Sequence, residues 1–296
     1  MNIIKPSGLK RGNTIGIIAV CGGIEKEASV CVERAVKLFE AEGFNVVVSK
    51  DIYEKDRYLA GSDDLRLKNL HEFFENKEID AIICLRGGYG AIRLVEKLDY
   101  EIIRKNPKIF CGFSDVTALN LMFYKRAGLV TYSGPMIMSD FGIENQSEFT
   151  IQEFFKAAEG KSYELNGEQE IINGNASGIL WGGNLSTIVS LCGLDFIPDE
   201  PFIFFAEDVN EPVYKIDKMF RQLLNIEKFR KNIKALCFGE FSGIDNTEWL
   251  EILFNEVSQE LNIPSAKGFK FTHEKEKATA RIGTLAKFDG KKLFIE

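Results

Sequence analysis

The 296-residue sequence predicts an α/β fold: an N-terminal α/β domain built on a parallel sheet, and a smaller C-terminal domain of mixed α/β character. Short apolar runs alternate with amphipathic runs through the first half, the pattern of strands and covering helices. The apolar runs are continuous, as in strands buried on both faces. The alternation fades between Asp140 and Asn175, a polar stretch with Glu144-Asn145-Gln146-Ser147 and Asn173-Gly174-Asn175. That break divides the chain into residues 1–150, a connection over 151–175, and residues 176–296.

Residues 14–20 form the first expected strand. Residues 25–42 place Ala28, Val32, Ala35, Val36 and Phe39 on one helical face, and Gly43 ends the helix. A strand at 45–49, a helix at 63–76 and a strand at 80–85 follow. A glycine loop then leads into a helix reaching about Leu98. A strand at 108–112 precedes a helix at 115–126. The second half adds a strand near 177–180, a helix after Asn184, a strand at 202–206, a helix near 214–224, a strand at 235–238 and a helix at 247–261. Short strands close the chain, one of them at 292–295. Chemistry on such sheets gathers at the carboxyl ends of the strands, so the loops after Val20, Leu85 and Phe113 are the places to search.

The net charge of −7 and pI near 5.2 argue against a nucleic-acid partner. The most basic stretch, from Lys215 to Lys234, reads as solvated helix and loop surface. The N-terminus lacks the apolar core of a secretory leader, and no apolar run is long enough to span a membrane. Six cysteines without a CxxC pair suggest reduced thiols and a cytoplasmic location. With only two histidines and no ligand cluster, no metal site is expected.

Four segments could carry chemistry. In Gly112-Phe113-Ser114-Asp115 the serine sits where a strand yields to a helix. It is either a nucleophile on a sharp turn or a helix N-cap; Val116 stands where a G-x-S-x-G elbow would have glycine. Arg86-Gly87-Gly88-Tyr89-Gly90 follows a strand and either lends N–H groups to an oxyanion or phosphate, or makes a tight turn. Glu207-Asp208 follows the strand at 202–206 and could orient a histidine, bind a metal or cap a helix. His273 lies in a charged loop, whereas His71 lies beside the apolar stripe of a helix. A catalytic histidine is therefore His273 by elimination. Serine, carboxylate and histidine together suit acyl transfer without metal or organic cofactor.

These segments, with Gly12-Asn13-Thr14-Ile15-Gly16-Ile17, Asn106-Pro107-Lys108, Ser133-Gly134-Pro135 and Gly182-Gly183-Asn184-Leu185-Ser186, resemble the LD-carboxypeptidases of the murein tetrapeptide carboxypeptidase type. That group also includes the microcin C self-immunity peptidases. The resemblance spans nearly the whole chain. It implies Ser114 as nucleophile, Glu207 and His273 as the rest of a triad, and an oxyanion hole from the backbone N–H groups of Gly88 (Gly87 the alternative) and Asp115. It further implies an active site between the two domains and a homodimer. Two places depart from the family pattern. The first loop reads Val20-Cys21-Gly22-Gly23 where relatives have Pro-Ser, and His273 is flanked by Thr272 and by Glu274-Lys275-Glu276-Lys277.

The expected activity is hydrolysis of the amide between an L-centre and a terminal D-alanine in cytoplasmic muropeptides. A microcin-type peptidase cleaving a peptidyl or aminoacyl nucleotide is the alternative, with Tyr89 and Trp181 as candidates to stack on a base. A non-catalytic ligand-binding protein is the third.

Overall fold

A computed structural model describes residues 3–296. Met1 and Asn2, part of the segment read for a leader, lie outside the described residues. The first half supplies strands β1 (Thr14–Ile18), β2 (Asn45–Val48), β3 (Ala81–Cys84), β4 (Ile109–Cys111) and β5 (Thr131–Ser133). They pair in parallel in the order β2-β1-β3-β4-β5. Helices α1 (Ser29–Ala41), α2 (Asp63–Glu75), α3 (Tyr100–Lys105) and α4 (Thr117–Met122) connect them. Ile15, Ile17, Ile18, Ile82 and Ile83 are wholly buried, which is why these strands read as unbroken apolar runs. The strand order reverses between β1 and β3. The loops after these two strands border a crevice there, the usual ligand position on such a sheet.

The second half forms an eight-stranded mixed sheet. Its elements begin with helix α5 (Glu148–Ala158), strands β6 (Tyr163–Asn166), β7 (Gln169–Ile172) and β8 (Asn175–Asn184), helix α6 (Leu185–Ser190) and strand β9 (Phe202–Val209). Helices α7 (Val213–Leu224) and α8 (Glu227–Asn232), strand β10 (Ile233–Ser242), helix α9 (Thr247–Leu261) and strand β11 (Ser265–Lys267) follow. Strands β8 to β11 are parallel neighbours in the middle. The chain then crosses back: β12 (Ala280–Ile282) pairs antiparallel with β5 at the edge of the first sheet. Finally β13 (Leu285–Asp289) and β14 (Lys292–Ile295) rejoin the second sheet. The loop carrying His273 is therefore anchored in one sheet at its start and in the other at its end.

The sheets also meet at α4. The Asn184 N–H donates to Thr117 Oγ1 over 3.2 Å. A Cβ at Gly183 would lie 2.6 Å from Thr117 Cγ2, and one at Gly182 only 1.9 Å from the Phe205 carbonyl oxygen. The glycine pair is thus what allows β8 to press against both its neighbour strand and the helix.

Three expectations need correction. The helix expected up to Leu98 is a short 3-10 turn at Ala91–Arg93. Ala91, Leu94, Val95 and Leu98 have helical spacing, but a loop with three glycines precedes them and successive tight turns bury them instead. The helix expected at 115–126 is a composite: a 3-10 turn at Ser114–Val116, then α4, then a π turn at Phe123–Ala127. The polar stretch 140–175 contains α5, capped by the Ser147 hydroxyl accepting from the Thr150 N–H, and strands β6 and β7. The flanking Glu144 and Glu148 mask its narrow buried stripe of Thr150, Phe154, Ala157 and Ala158. In the basic stretch, Arg221 pairs with Asp217, Glu256 and Glu260, and Lys228 with Asp195 and Asp199. No described helix is long and apolar enough to cross a membrane.

Gly182→Ala is expected to destabilise the protein by about 3 kcal/mol or more, because backbone must move to admit the methyl group. A urea-unfolding midpoint equal to wild type would contradict that packing.

Candidate active site

Ser114 occupies the turn between β4 and the helical segment beginning at residue 114. Its φ of +60° lies in the left-handed region, which is strained for serine by roughly 1–2 kcal/mol. Close contacts hold it there. A Cβ at Gly112 would sit 2.8 Å from Val116 Cγ1, and the Asn120 Nδ2 group donates to the Gly112 carbonyl over 2.8 Å. A Cβ at Gly87 would lie 2.9 Å from Ser114 Cβ and 3.1 Å from its Oγ. The glycine loop after β3 therefore touches the serine directly. Ser114 is half-buried, and its hydroxyl has no hydrogen-bond partner among the described residues.

The loops at the β1/β3 crevice are tied together from beneath. Arg66, fully buried on α2, donates from Nη1 to the carbonyls of Val20 (2.6 Å) and Gly90 (3.0 Å), and from Nη2 to Asp63 (2.6 Å). The Asp115 carboxylate accepts from the Ala91 N–H over 2.9 Å. Burial pushes the Asp115 carboxyl up from its ordinary range, partly offset by that N–H and by the Cys21 thiol. The Gly22 N–H donates to the Gly87 carbonyl over 3.1 Å. In a planar trans peptide this aims the Gly88 N–H away from Gly22. Neither the Gly88 nor the Asp115 N–H finds an acceptor among the described residues.

The acidic pair at the end of β9 is split by the two-residue period of a strand. Asp208 turns toward α6 and accepts from the Ser186 N–H (2.8 Å) and the Asn184 Nδ2 group (3.0 Å). It is the helix-capping partner that the sequence allows. Glu207 turns the other way, is only 3% exposed, and accepts from His273 Nδ1–H over 2.6 Å. Phe113, the residue before Ser114, meets the His273 ring edge-on with centroids 4.9 Å apart. His71 lies elsewhere, on α2, where its Nε2 accepts from the Asp99 N–H at the start of α3.

Sequence reasoning missed the supports. Lys277 and Asp140 form a buried ion pair at 3.4 Å, with side chains 2% and 4% exposed. The Lys277 ammonium also donates to the Glu274 carbonyl and lies 4.2 Å from the Phe113 ring centroid. It thus links the His273 loop to the serine turn. Lys277 sat within Glu274-Lys275-Glu276-Lys277, which looks solvated, and nothing local separates it from its exposed neighbours. Arg66 was equally hidden, though a basic residue between the apolar positions Leu65 and Leu67 was a weak signal. Among the described residues, no group of three or more His, Cys, Asp or Glu side chains is placed to hold a metal ion.

A cavity of about 660 Å³ opens beside the glycine loop. Gly22 and Gly23 form one wall, and Lys55, Arg57 and Tyr58 another. Arg86, Gly88 and Tyr89 complete it. Trp181 does not reach it: it is fully buried among Phe196, Phe202, Phe204 and Phe229, as a core residue.

Residues 15–134 match the model of the LD-carboxypeptidase N-terminal domain, and residues 177–288 that of the C-terminal domain. The chain belongs to the LD-carboxypeptidase family. It is a serine-type carboxypeptidase of two α/β domains. A probable murein peptide carboxypeptidase of Bacillus subtilis is 33% identical over 95% of this chain and 90% of its own. An MccF-like protein from Bacillus anthracis superposes with a TM-score of 0.92 at 28% identity, covering 99% of both chains. The microcin C7 self-immunity protein MccF in complex with aspartyl sulfamoyl adenosine gives 0.88 at 25% identity, covering 98% of this chain and 97% of that one.

Lys277→Met leaves the Asp140 charge buried without its partner and is expected to cost about 3–5 kcal/mol. Adding Asp140→Asn should recover more than about 1 kcal/mol in a double-mutant cycle read by urea unfolding. Additive losses would contradict a direct coupling of the two side chains.

Proposed function

We propose that this carboxypeptidase hydrolyses the amide between an L-centre and the terminal D-alanine of cytoplasmic muropeptides, using Ser114, His273 and Glu207 as its triad. The buried Glu207–His273 hydrogen bond beside the strained serine turn carries the proposal. The similarity to a probable murein peptide carboxypeptidase supports the substrate.

In this mechanism Glu207 holds the imidazole with its proton on Nδ1, which leaves Nε2 to accept the Ser114 proton. Ser114 Oγ attacks the scissile carbonyl. The N–H groups of Gly88 and Asp115 take up the negative charge that develops on its oxygen. His273 returns the proton to the amine of D-alanine as the C–N bond breaks. Water, deprotonated by the same imidazole, then releases the peptide from its serine ester. In this mechanism the hydrogen bond from Ser114 to His273 forms in the substrate complex. The chemistry draws on no metal or organic cofactor, and the working unit is a homodimer.

A second reading, cleavage of a peptidyl or aminoacyl nucleotide, draws on the tyrosine pair at the cavity and on the likeness to MccF. Tyr58 and Tyr89 are 57% and 45% exposed, with ring centroids 5.6 Å apart, and offer faces to a base.

Incubation with L-Lys- and diaminopimelate-containing tetrapeptides, with released D-alanine measured by mass spectrometry, separates these readings. Wild type is expected to release D-alanine. Ser114→Ala should lose about 10³-fold or more in kcat, whereas His71→Ala should keep full turnover. D-alanine release by Ser114→Ala at the wild-type rate would refute the mechanism, and action on a nucleotide conjugate alone would favour the second reading.

A further inference from the structure

The cavity beside the glycine loop holds three cations, and they are not equivalent. Lys55 is paired with Glu25, and Arg57 with Asp56 at 3.1 Å. Arg86 is exposed and has no carboxylate partner among the described residues. Its guanidinium lies over the two glycines at the back of the cavity. A Cβ built at Gly22 would be 3.4 Å from Arg86 Nε, and one at Gly88 would be 3.9 Å from Nη2. The one uncompensated charge in the cavity therefore stands beside the proposed oxyanion donor, Gly88. One residue earlier in the same loop, Gly87 touches Ser114.

The chemistry of a carboxypeptidase sets where its carboxylate-binding cation must be. In a C-terminal residue the carboxylate carbon is three bonds from the scissile carbonyl carbon, roughly 3–4 Å away. A cation that recognises it must lie within one residue's reach of the oxyanion hole. Arg86 meets that requirement, and its planar fork suits a carboxylate. The cavity is also larger than a terminal alanine requires, leaving room for the rest of a peptide beside the tyrosines.

We propose that Arg86 is the specificity residue that binds the free terminal carboxylate of the substrate, and so confines the enzyme to the last amide of the chain. This rests on the peptidase function proposed above.

The test compares a tetrapeptide ending in D-alanine with the same peptide ending in D-alaninamide. Turnover is followed with wild type and Arg86→Gln, and binding by calorimetry in the Ser114→Ala background with and without Arg86→Gln. With Arg86 present, the carboxylate peptide should be favoured about 10- to 100-fold in both kcat/KM and Kd. With Arg86→Gln that preference should collapse to within about threefold, and Arg86→Lys should restore part of it. Retention of the full preference by Arg86→Gln while wild type releases D-alanine would overturn the inference and leave the function standing. Equal losses on both peptides would also overturn it, by making Arg86 a structural support. Binding with the stated preference but no D-alanine release by wild type would instead sink the proposed function and uphold the carboxylate site. Absence of any carboxylate preference in binding would overturn the inference whatever the turnover.

Discussion

The 2.6 Å hydrogen bond between His273 and Glu207 is the contact on which the rest of the site depends. It joins a carboxylate at the end of a central strand to a loop that runs between the two sheets. Glu207 Oε1 has no partner among the described residues. The imidazole is then the main compensation for a charge almost wholly removed from water. A histidine held this way has a defined tautomer and a defined free nitrogen. Its place is reinforced from both ends, by β11 in one sheet and β12 in the other, and from the side by Lys277 and Phe113.

Around that bond the architecture concentrates strain and close approach in one place. Ser114 holds a left-handed backbone, Gly87 lies against it, and Gly183 lets the second sheet reach the helix that follows it. Arg66 and Asp115 fix the two crevice loops from below with buried polar contacts. Partly satisfied polar groups and unusual backbone are expensive in a core, and their gathering here is what a preorganised site requires. The acidic residues 207 and 208 show how economically this is done. A single step along β9 sends one carboxylate to the histidine and the other to a helix cap.

Much of this is legible in the sequence. Unbroken apolar runs identified β1, β3, β4 and β9 because those strands are buried on both faces, and the strand-end positions of Ser114 (after β4) and Glu207 (on β9) followed. His273 stood out because the chain has only two histidines. Less was legible where tertiary contacts override local pattern. Residues 91–98 have helical spacing yet fold as tight turns, and α5 hides behind charged flanks. Lys277 looks like surface and is buried, because its partner Asp140 is 137 residues away in the chain. Trp181 looks available for stacking and instead is buried in the core among Phe196, Phe202, Phe204 and Phe229. Pairings of that kind have no signature in local sequence.

Treatment with a fluorophosphonate, followed by peptide mapping and assay of D-alanine release on the same sample, tests the central claim most directly. One adduct per chain on Ser114, with release falling in step with labelling, is the expected result. Undiminished release from enzyme fully modified at Ser114, or loss of release with the adduct on a different residue, would contradict the assignment of Ser114 as the nucleophile served by His273 and Glu207.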